Sequence, residues 1–169
     1  MKSEDLRKII HEEYLRKWTD KEGSWKWNED GSVDVEGNLS IFNYPYSELP
    51  FQFNYVSRSF LCTQNRLTTL KGAPRIVGQK FDCANNLLTS LKYSPKITQT
   101  FNCYGNLLEN LEGSPEKIEG SFICSNNRLT SLNGAPKEVI GCFKCRNNSI
   151  WFTENDVKKV SVVNALIIT

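Results

Sequence analysis

The cysteine spacing is the feature of this sequence that most limits its possible folds. Five of the six cysteines, at positions 62, 83, 103, 124 and 145, are separated by 21, 20, 21 and 21 residues. Zinc ligands come in closely spaced pairs, and disulfide frameworks rarely keep a constant interval. A constant period of this length indicates a structural repeat. The sixth cysteine, Cys142, forms a Cys-Phe-Lys-Cys pair with Cys145, which we interpret as coincidence rather than as a zinc or redox site.

Apolar residues recur around each cysteine in the same order. A phenylalanine stands two residues before the cysteine, so both side chains point to the same side of an extended strand. Two further columns of leucine or isoleucine follow the cysteine, and an aliphatic residue precedes the next phenylalanine by four positions. These predicted inward columns are Phe60, Phe81, Phe101, Phe122 and Phe143; Leu67, Leu88, Leu108, Leu129 and Ile150; Leu70, Leu91, Leu111 and Leu132; and Val56, Val77, Ile97, Ile118 and Val139. Because one unit cannot bury this apolar side alone, the units are predicted to stack into a solenoid.

A degenerate unit precedes the four strong ones and a decaying unit follows them, so we expect about six rungs. The residues of the first unit that stand in register with Phe60, Cys62, Leu67 and Leu70 are Leu39, Ile41, Tyr46 and Leu49. Tyr44 takes the place of asparagine in the first unit, and Thr153 takes the place of the second leucine in the last. Such departures are expected at the ends of a solenoid.

Asparagine and proline occupy the turns. Asparagine stands at 65, 86, 106, 127 and 148, and proline stands at 74, 95, 115 and 136. Because an asparagine side chain both donates and accepts hydrogen bonds, stacked amides are predicted to bridge one rung to the next. Proline favours an extended return limb and excludes a helix there. The cysteines of neighbouring rungs are predicted to lie about 4.8 Å apart with parallel side chains, which disfavours disulfides and indicates a reduced, cytoplasmic protein.

The repeat Phe-x-Cys-x-x-Asn-x-Leu-Thr-Ser-Leu-x-Gly-x-Pro resembles a leucine-rich repeat of the short bacterial type, with phenylalanine and cysteine in two inward leucine positions. The resemblance covers residues 39–152 and implies an α/β solenoid with a parallel β-sheet on one face. The segments NEDGSVDVEGNLSI, LPFQF and FTENDVKKVSVV also resemble small leucine-rich-repeat proteins carried by tailed bacteriophages.

The open end of a solenoid exposes apolar core, so both ends are expected to carry caps. Residues 1–38 are predicted to form the N-terminal cap, with a helix over 3–18 that Ser3 begins and a β-hairpin over 24–37. The helix has one apolar stripe, made of Leu6, Ile9, Ile10, Tyr14 and Trp18. A separate binding device is the alternative interpretation of this module.

Residues 153–169 are predicted to form a small α/β cap at the C-terminus. Thr153 is the expected N-cap of a short helix, with Val157 and Val160 facing inward, and SVVNALIIT is expected to add a closing strand.

Outward columns of the predicted sheet are the candidate interaction surface. The inward positions hardly vary between rungs, whereas the positions flanking phenylalanine and cysteine change at every rung. Folding constrains the first set and leaves the second free to fit a partner, and tyrosine and arginine are enriched at interface hot spots. The candidate partner-binding residues are Leu61, Lys80, Asp82, Asn102, Tyr104, Ile123, Ser125, Lys144 and Arg146. The alternative is an ordinary solvated sheet, with binding through the N-terminal helix or the loops.

The sequence argues against an enzyme. The single histidine, His11, lies in the segment HEEYL, and Leu15 stands where a zinc-protease helix needs its second histidine. The glycines recur as turn residues and form no phosphate-binding loop, and we expect no catalytic residue, cofactor or metal. The N-terminal residues MKSEDLRKII lack the apolar core of a secretory signal, and no run of residues is apolar enough to predict a membrane span.

These observations predict a non-catalytic protein–protein interaction module. The resemblance to phage proteins implies an accessory protein that binds a bacterial host protein, for example a defence factor, and inhibits or redirects it. The alternative is a nucleic-acid or nucleoprotein binder using Lys80, Lys144, Arg146, Arg66, Arg128 and Lys137, which a net charge of only +2 disfavours. End-to-end self-assembly is a third hypothesis.

Overall fold

A computed structural model describes the backbone of residues 3–169 and the side chains from residue 11 onward. The helices are α1 (Ser3–Trp18) and α2 (Glu154–Val160). The strands are β1 (Ser24–Trp27), β2 (Val33–Glu36), β3 (Leu39–Ser40), β4 (Phe53–Val56), β5 (Phe60–Leu61), β6 (Ile76–Val77), β7 (Lys80–Asp82), β8 (Thr100–Asn102), β9 (Lys117–Ile118), β10 (Phe122–Ile123), β11 (Glu138–Val139), β12 (Phe143–Lys144), β13 (Val162–Val163) and β14 (Ile167–Ile168).

The described residues form a β-solenoid of about six turns. Its main sheet has seven parallel strands in the order β3-β5-β7-β8-β10-β12-β14. Strand pairing places the five phenylalanines of the repeat opposite one another, from Phe60 against Phe81 through to Phe122 against Phe143. The stacking of successive repeats predicted from the cysteine interval is therefore confirmed. The return limbs are extended or irregular, and the only helices in the described part of the chain are α1 and α2.

The phenylalanine column forms the centre of the core. All five rings are fully buried, and the centroids of successive rings lie 5.4, 5.3, 5.7 and 5.2 Å apart. Aromatic pairs at such distances contribute roughly 0.5–1.5 kcal/mol each beyond the burial of their area. Phe53 of β4, in a return limb, meets Phe60 edge-on at 5.5 Å. The ring column therefore couples each turn of the solenoid to the next.

The return limbs are joined by two shorter sheets. One has the order β1-β2-β4-β6, in which β1 and β2 form an antiparallel hairpin, and the other has the order β9-β11-β13. Between them lies the limb of the one repeat that is 20 residues long, which contributes only an isolated bridge between Ile76 and Ile97. Because this repeat is one residue shorter than the others, the β-ladder of the return limbs is interrupted at this point.

The same missing residue makes one predicted core position wrong. Ile97 was expected to face inward, but it pairs with the exposed Ile76 and is 58% exposed. Thr98 is buried in its place, and its hydroxyl lies 3.0 and 3.1 Å from the carbonyl oxygens of Gln79 and Thr100. In this shorter repeat the side chain that faces the core therefore stands three positions before phenylalanine, and in the other repeats it stands four positions before.

Two further inward assignments fail at the ends of the repeat. Tyr46 is 60% exposed, and Tyr44 is buried in its stead. In the last unit Ile150 is 46% exposed, and Phe152 is buried. In both units the chain leaves the regular turn, so the apolar side chain that reaches the core stands two positions away from the slot that the repeat predicts.

The asparagine column bridges successive coils as predicted. The Asn86 side-chain amide donates to the carbonyl oxygens of Cys62 (2.9 Å) and Cys83 (3.0 Å). Its oxygen accepts from the Leu67 N–H at 3.1 Å. Asn106 and Asn127 make the equivalent bonds one and two coils further on. Each asparagine thus satisfies backbone groups of two coils at the bend after the strand.

The cysteine thiols are free and belong to the core. Five are buried, and Cys142 is partly exposed. Cys83, Cys103 and Cys124 each donate from sulfur to a carbonyl oxygen of the next coil, at 3.4, 3.3 and 3.4 Å. Burial raises the pKa of these thiols well above the usual range, and it raises the pKa of Cys145 to about 11. They are therefore neutral packing groups at physiological pH.

The N-terminal segment packs on the first coil. Leu15 and Trp18 of α1 and Val33 and Val35 of β2 are buried in the same core as the coils. Thr19 bridges antiparallel to Leu39 at the edge of the main sheet. The side chains of Ser3, Leu6, Ile9 and Ile10, to which the sequence assigned a cap and an apolar stripe, lie outside the described residues.

At the C-terminal end, Thr153 begins α2 with a capping box. Its hydroxyl accepts from the Asp156 N–H, and the Asp156 carboxylate accepts from the Thr153 N–H. Val157 is buried, whereas Val160, which was expected to face inward, is 37% exposed. The final residues add β13 to one return sheet and β14 to the main sheet. Across residues 3–169, neither helix has the length and hydrophobicity needed to cross a membrane.

Candidate interaction surface

The outward side of the main sheet carries a column of side chains that does not repeat. Strand pairing places Leu61 opposite Asp82, Asp82 opposite Asn102, Asn102 opposite Ile123 and Ile123 opposite Lys144. Each of these residues lies between a buried phenylalanine and a buried cysteine, so its side chain points to the other face of the strand. Four of the five are partly exposed, and Asp82 is buried. We call the outer side of strands β5, β7, β8, β10 and β12, with the residues that flank them, the strand face.

Asp82 organises the centre of the strand face rather than presenting a free charge. Its carboxylate lies 2.5 Å from the Lys80 ammonium and accepts from the Asn102 side-chain amide, which is 3.1 Å from both oxygens. It also accepts from the Ala84 N–H at 3.1 Å. With these partners the side chain is only 7% exposed. Lys80 and Asn102 are therefore held by Asp82, and the three groups act as one polar cluster.

Two other predicted contact residues are also engaged within the chain. The Tyr104 hydroxyl accepts from the Asn126 side-chain amide at 2.6 Å, while its ring stays 37% exposed. Ser125 is buried, and its hydroxyl accepts from the Arg146 N–H at 3.1 Å. Tyr104 can therefore contact a partner with its ring, whereas Ser125 supports the backbone of the neighbouring coil.

The exposed part of the strand face is amphipathic. Leu61 and Ile123 are partly exposed, as is Lys144, and Arg146 is exposed beside Lys144 on the last full coil. Neither of these two cations forms a salt bridge with a residue in the described part of the chain. The structure thus places two apolar side chains, on either side of the Asp82 cluster, and a positive end on one sheet.

The six basic residues of the nucleic-acid hypothesis do not form one continuous unpaired basic surface. Lys80 is paired with Asp82, and Lys137 is paired with Glu116 at 3.2 Å. Arg66 and Arg128 are exposed but directly follow the asparagine column, beyond the bend that ends the strand. Two of the six basic groups are thus neutralised locally, and two others lie past the turn.

The histidine and the buried cysteines of the described residues pack against neighbouring side chains and backbone. Among residues 11–169, no group of three or more histidine, cysteine, aspartate or glutamate side chains is placed to hold a metal ion. The His11 ring packs on Phe51 at 4.8 Å and lies 6.2 Å from Trp27. The buried thiols are protonated at neutral pH, and nucleophilic cysteines need the opposite shift in pKa.

Two clefts lie at the ends of the solenoid, where the sequence predicted only caps. One of about 630 Å³ is lined by Arg146, Ile150 and Trp151, whose ring is 82% exposed. The other, of about 330 Å³, lies between α1 and the first coil and is lined largely by aromatic side chains. The aromatic residues of the segment Tyr44–Phe51 were a signal for this second cleft, but they were interpreted as parts of a degenerate repeat.

No family model matches this chain, and comparisons with curated proteins and with solved structures found no significant similarity. The candidate sites for function are therefore the chain's own surfaces. Those surfaces are the strand face and the two end clefts.

Proposed function

We propose that this chain is a non-catalytic protein-binding module that contacts its partner through the strand face. The single observation that supports this function most strongly is the non-repeating column from Leu61 to Lys144, which pairs in register along the main sheet. A repeat that holds its inward side constant while every outward position differs presents one continuous surface with its own chemistry at each step.

The exposed ring of Tyr104 and the charges of Lys144 and Arg146 are expected to contribute most of the binding free energy. Tyr104 offers an aromatic ring whose hydroxyl oxygen accepts from Asn126 within the chain, and its O–H can still donate to an acceptor on the partner. Arg146 and Lys144 carry charges without a local counter-ion in the described residues, and they favour an acidic patch on the partner. The Asp82 cluster lies on β7 and β8, on the side of Tyr104 away from Lys144 and Arg146.

The resemblance of the repeat also suggests a family and a biological role for the chain. The repeat resembles short bacterial leucine-rich repeats and the small repeat proteins of tailed bacteriophages, so we propose a phage accessory protein of that family. It would act in the cytoplasm by occluding a surface of a bacterial host protein, such as a defence factor. We also propose that α1 with the β1–β2 hairpin, and α2 with the last strands, are the caps of the solenoid, since both segments bury apolar side chains against its ends.

A double substitution on the strand face tests the binding surface. Tyr104→Ala with Arg146→Glu removes the exposed ring and reverses a charge, and we expect capture of the partner from bacterial lysate to fall at least tenfold. Anchor residues at interfaces typically cost about 2 kcal/mol or more when truncated. The measurement is a quantitative pull-down, with proteins identified by mass spectrometry and thermal unfolding recorded for each variant.

The matched control makes the same two changes away from the strand face. Tyr93 is 51% exposed and Arg75 is exposed, both on the far side of the coil, so Tyr93→Ala with Arg75→Glu should retain the partner. Equal capture by both double variants would refute the strand face as the contact surface. Loss of capture in the control alone would place the contact on the return limbs.

A nucleic-acid partner is the second candidate, favoured by the unpaired charges of Lys144 and Arg146. Phosphate contacts make affinity fall steeply as salt rises. A salt titration of binding to single- and double-stranded oligonucleotides distinguishes the two functions, because affinity for a phosphate backbone falls much more steeply with salt than affinity for a protein surface that two cations contact. Submicromolar oligonucleotide binding that Arg146→Glu weakens would replace the protein-binding proposal.

A further inference from the structure

The cleft between α1 and the first coil has the composition of a cation-binding site. Its volume is about 330 Å³, and its walls include the rings of His11, Tyr14, Tyr44 and Tyr46 and the carboxylate-bearing side chain of Glu48. It lies at the end of the solenoid opposite to Arg146 and Lys144, so it is separate from the surface proposed above.

The tyrosine rings lie close together at steep angles. The centroids of Tyr14 and Tyr44 are 5.8 Å apart with an interplanar angle of 85°, and those of Tyr44 and Tyr46 are 5.2 Å apart at 60°. A ligand in the cleft therefore meets aromatic walls of different orientation. Tyr44 contacts both of the other rings edge-on, so a compact group in the cleft meets mainly the accessible parts of Tyr14 and Tyr46.

Buried packing holds two of the three rings in place. Tyr14 stacks on Trp18 at 4.6 Å, and Tyr44 meets Trp18 edge-on at 5.4 Å. Trp18 is only 2% exposed and Tyr44 only 6%, whereas Tyr46 is 60% exposed at the mouth of the cleft. The inner walls are thus preorganised, and Tyr46 is the ring that a ligand or a substitution can change without disturbing the core.

The electrostatic character of the cleft favours a positive charge. Glu48 brings a carboxylate to the wall, and its nearest cation, the Lys71 ammonium, is 3.8 Å away with both side chains more than half exposed. Burial is the main reason that the pKa of Tyr44 is raised to about 12, so this phenol is neutral at physiological pH and Glu48 is the negatively charged group among the described lining residues. The faces of the aromatic rings carry partial negative charge as well.

We propose that this cleft binds a methylated ammonium group. A cation over the face of an aromatic ring is attracted by the ring quadrupole, and quaternary ammonium groups are recognised in this way. A primary ammonium is strongly hydrated and would lose water that aromatic walls do not replace. Methylation removes those N–H donors and keeps the charge, so the methylated ion matches both the rings and the carboxylate.

The proposal is tested on the full chain by NMR titration with three probes. Tetramethylammonium and choline are expected to cause saturable shifts of the aromatic signals of Tyr14, Tyr44 and Tyr46 at millimolar concentrations. The neutral isostere of choline, 3,3-dimethylbutan-1-ol, has the same shape without the charge and should bind at least tenfold more weakly. Absence of saturable shifts with the two cations, or equal binding of the neutral isostere, would overturn the proposal.

Substitutions at the mouth of the cleft assign the binding to these residues. Tyr46→Ala should weaken choline binding roughly three- to thirtyfold, as expected for one cation–π contact, and Tyr46→Phe should retain it. Glu48→Gln should weaken binding a few-fold and reduce its salt dependence. The matched control is Glu116→Gln, which removes another exposed glutamate–lysine pair, with Lys137, and should change nothing. Wild-type affinity in both Tyr46→Ala and Glu48→Gln would overturn the proposal.

A fourth probe distinguishes the source of the methylated ammonium. A short peptide carrying trimethyl-lysine presents the same head group on a polypeptide, and its unmethylated twin is the control. Tighter binding of the methylated peptide than of choline would identify a modified protein segment as the ligand. Binding of choline alone would identify a small molecule. Either result supports the site and is independent of whether the strand face binds a protein.

Discussion

At the residue scale, single positions in this protein are decided by the backbone they must adopt. The residue before the repeated asparagine of each turn has a left-handed backbone, with φ of 55° at Gln64 and Asn85, 66° at Gly105, 56° at Asn126 and 54° at Asn147. Asparagine and glycine adopt this conformation at lower cost than other residues. The turn therefore explains why asparagine or glycine fills this position in every coil except that of Gln64.

Replacing the one unfavourable residue in that position should stabilise the protein. Gln64→Asn is expected to raise the free energy of unfolding by about 0.5 kcal/mol, since asparagine is enriched in the left-handed region. Gln64 is exposed, so the shorter side chain leaves no cavity. Urea denaturation measures the change, and Gln99→Asn, at an exposed position outside the left-handed region, is the control. An equal gain in both variants would contradict the explanation.

At the scale of elements, the turns of the solenoid are coupled by side chains that cross from coil to coil. The strands of the main sheet are only two or three residues long, so backbone pairing within them is limited. Asn106 adds contacts to the carbonyl oxygens of Cys83 and Cys103 and accepts from the Leu88 N–H. The asparagine column thus completes the hydrogen bonding where the strands end.

Removing one amide from this column should uncouple two coils. Asn106→Ala is expected to lower the free energy of unfolding by about 2–4 kcal/mol, because it leaves several buried backbone groups without partners. The control is Asn133→Ala at an exposed position, which should cost less than about 0.5 kcal/mol. Chemical denaturation gives both values. A loss in Asn106→Ala no greater than in the control would show that the column is not a structural link.

At the scale of the whole molecule, one continuous core runs through all the coils and into both end segments. Its cysteine column makes the folded state sensitive to alkaline conditions. Burial raises the pKa of Cys62, Cys83, Cys103 and Cys124 in the folded protein, while the unfolded chain ionises near the ordinary value. The stability from these thiols is present below that ordinary pKa and is lost as pH rises above it.

The free energy of unfolding should therefore decline between about pH 8 and pH 10. Each thiol whose folded pKa is raised contributes a slope approaching about 1.4 kcal/mol per pH unit above its unfolded pKa. Urea denaturation across this range measures the slope, and Cys103→Ala should reduce it by one thiol's share. A slope that is unchanged in Cys103→Ala would assign the decline to other groups.

The repeat could be predicted from the sequence because its signal is regular. The phenylalanine, cysteine, leucine and asparagine columns recur at fixed positions, and stacking is the arrangement that buries their apolar side. Ile97 and Thr98 exchanged roles because the 20-residue interval is a local change of register, which the periodic pattern does not resolve. Tyr46 and Ile150 failed for a similar reason, since the chain at both ends no longer follows the regular turn.

The order of residues was enough to predict that the chain repeats, which side of each rung is apolar, and which residues lie along the outer strand face. Those properties depend on the order of residues within one unit, so the primary structure contains them. The contacts of Asp82 with Lys80 and Asn102, and the cleft that Tyr14, Tyr44 and Tyr46 line with Glu48, are visible only in the folded chain. Those groups come together because stacking and the packing of α1 juxtapose different segments, and no local pattern encodes such distances.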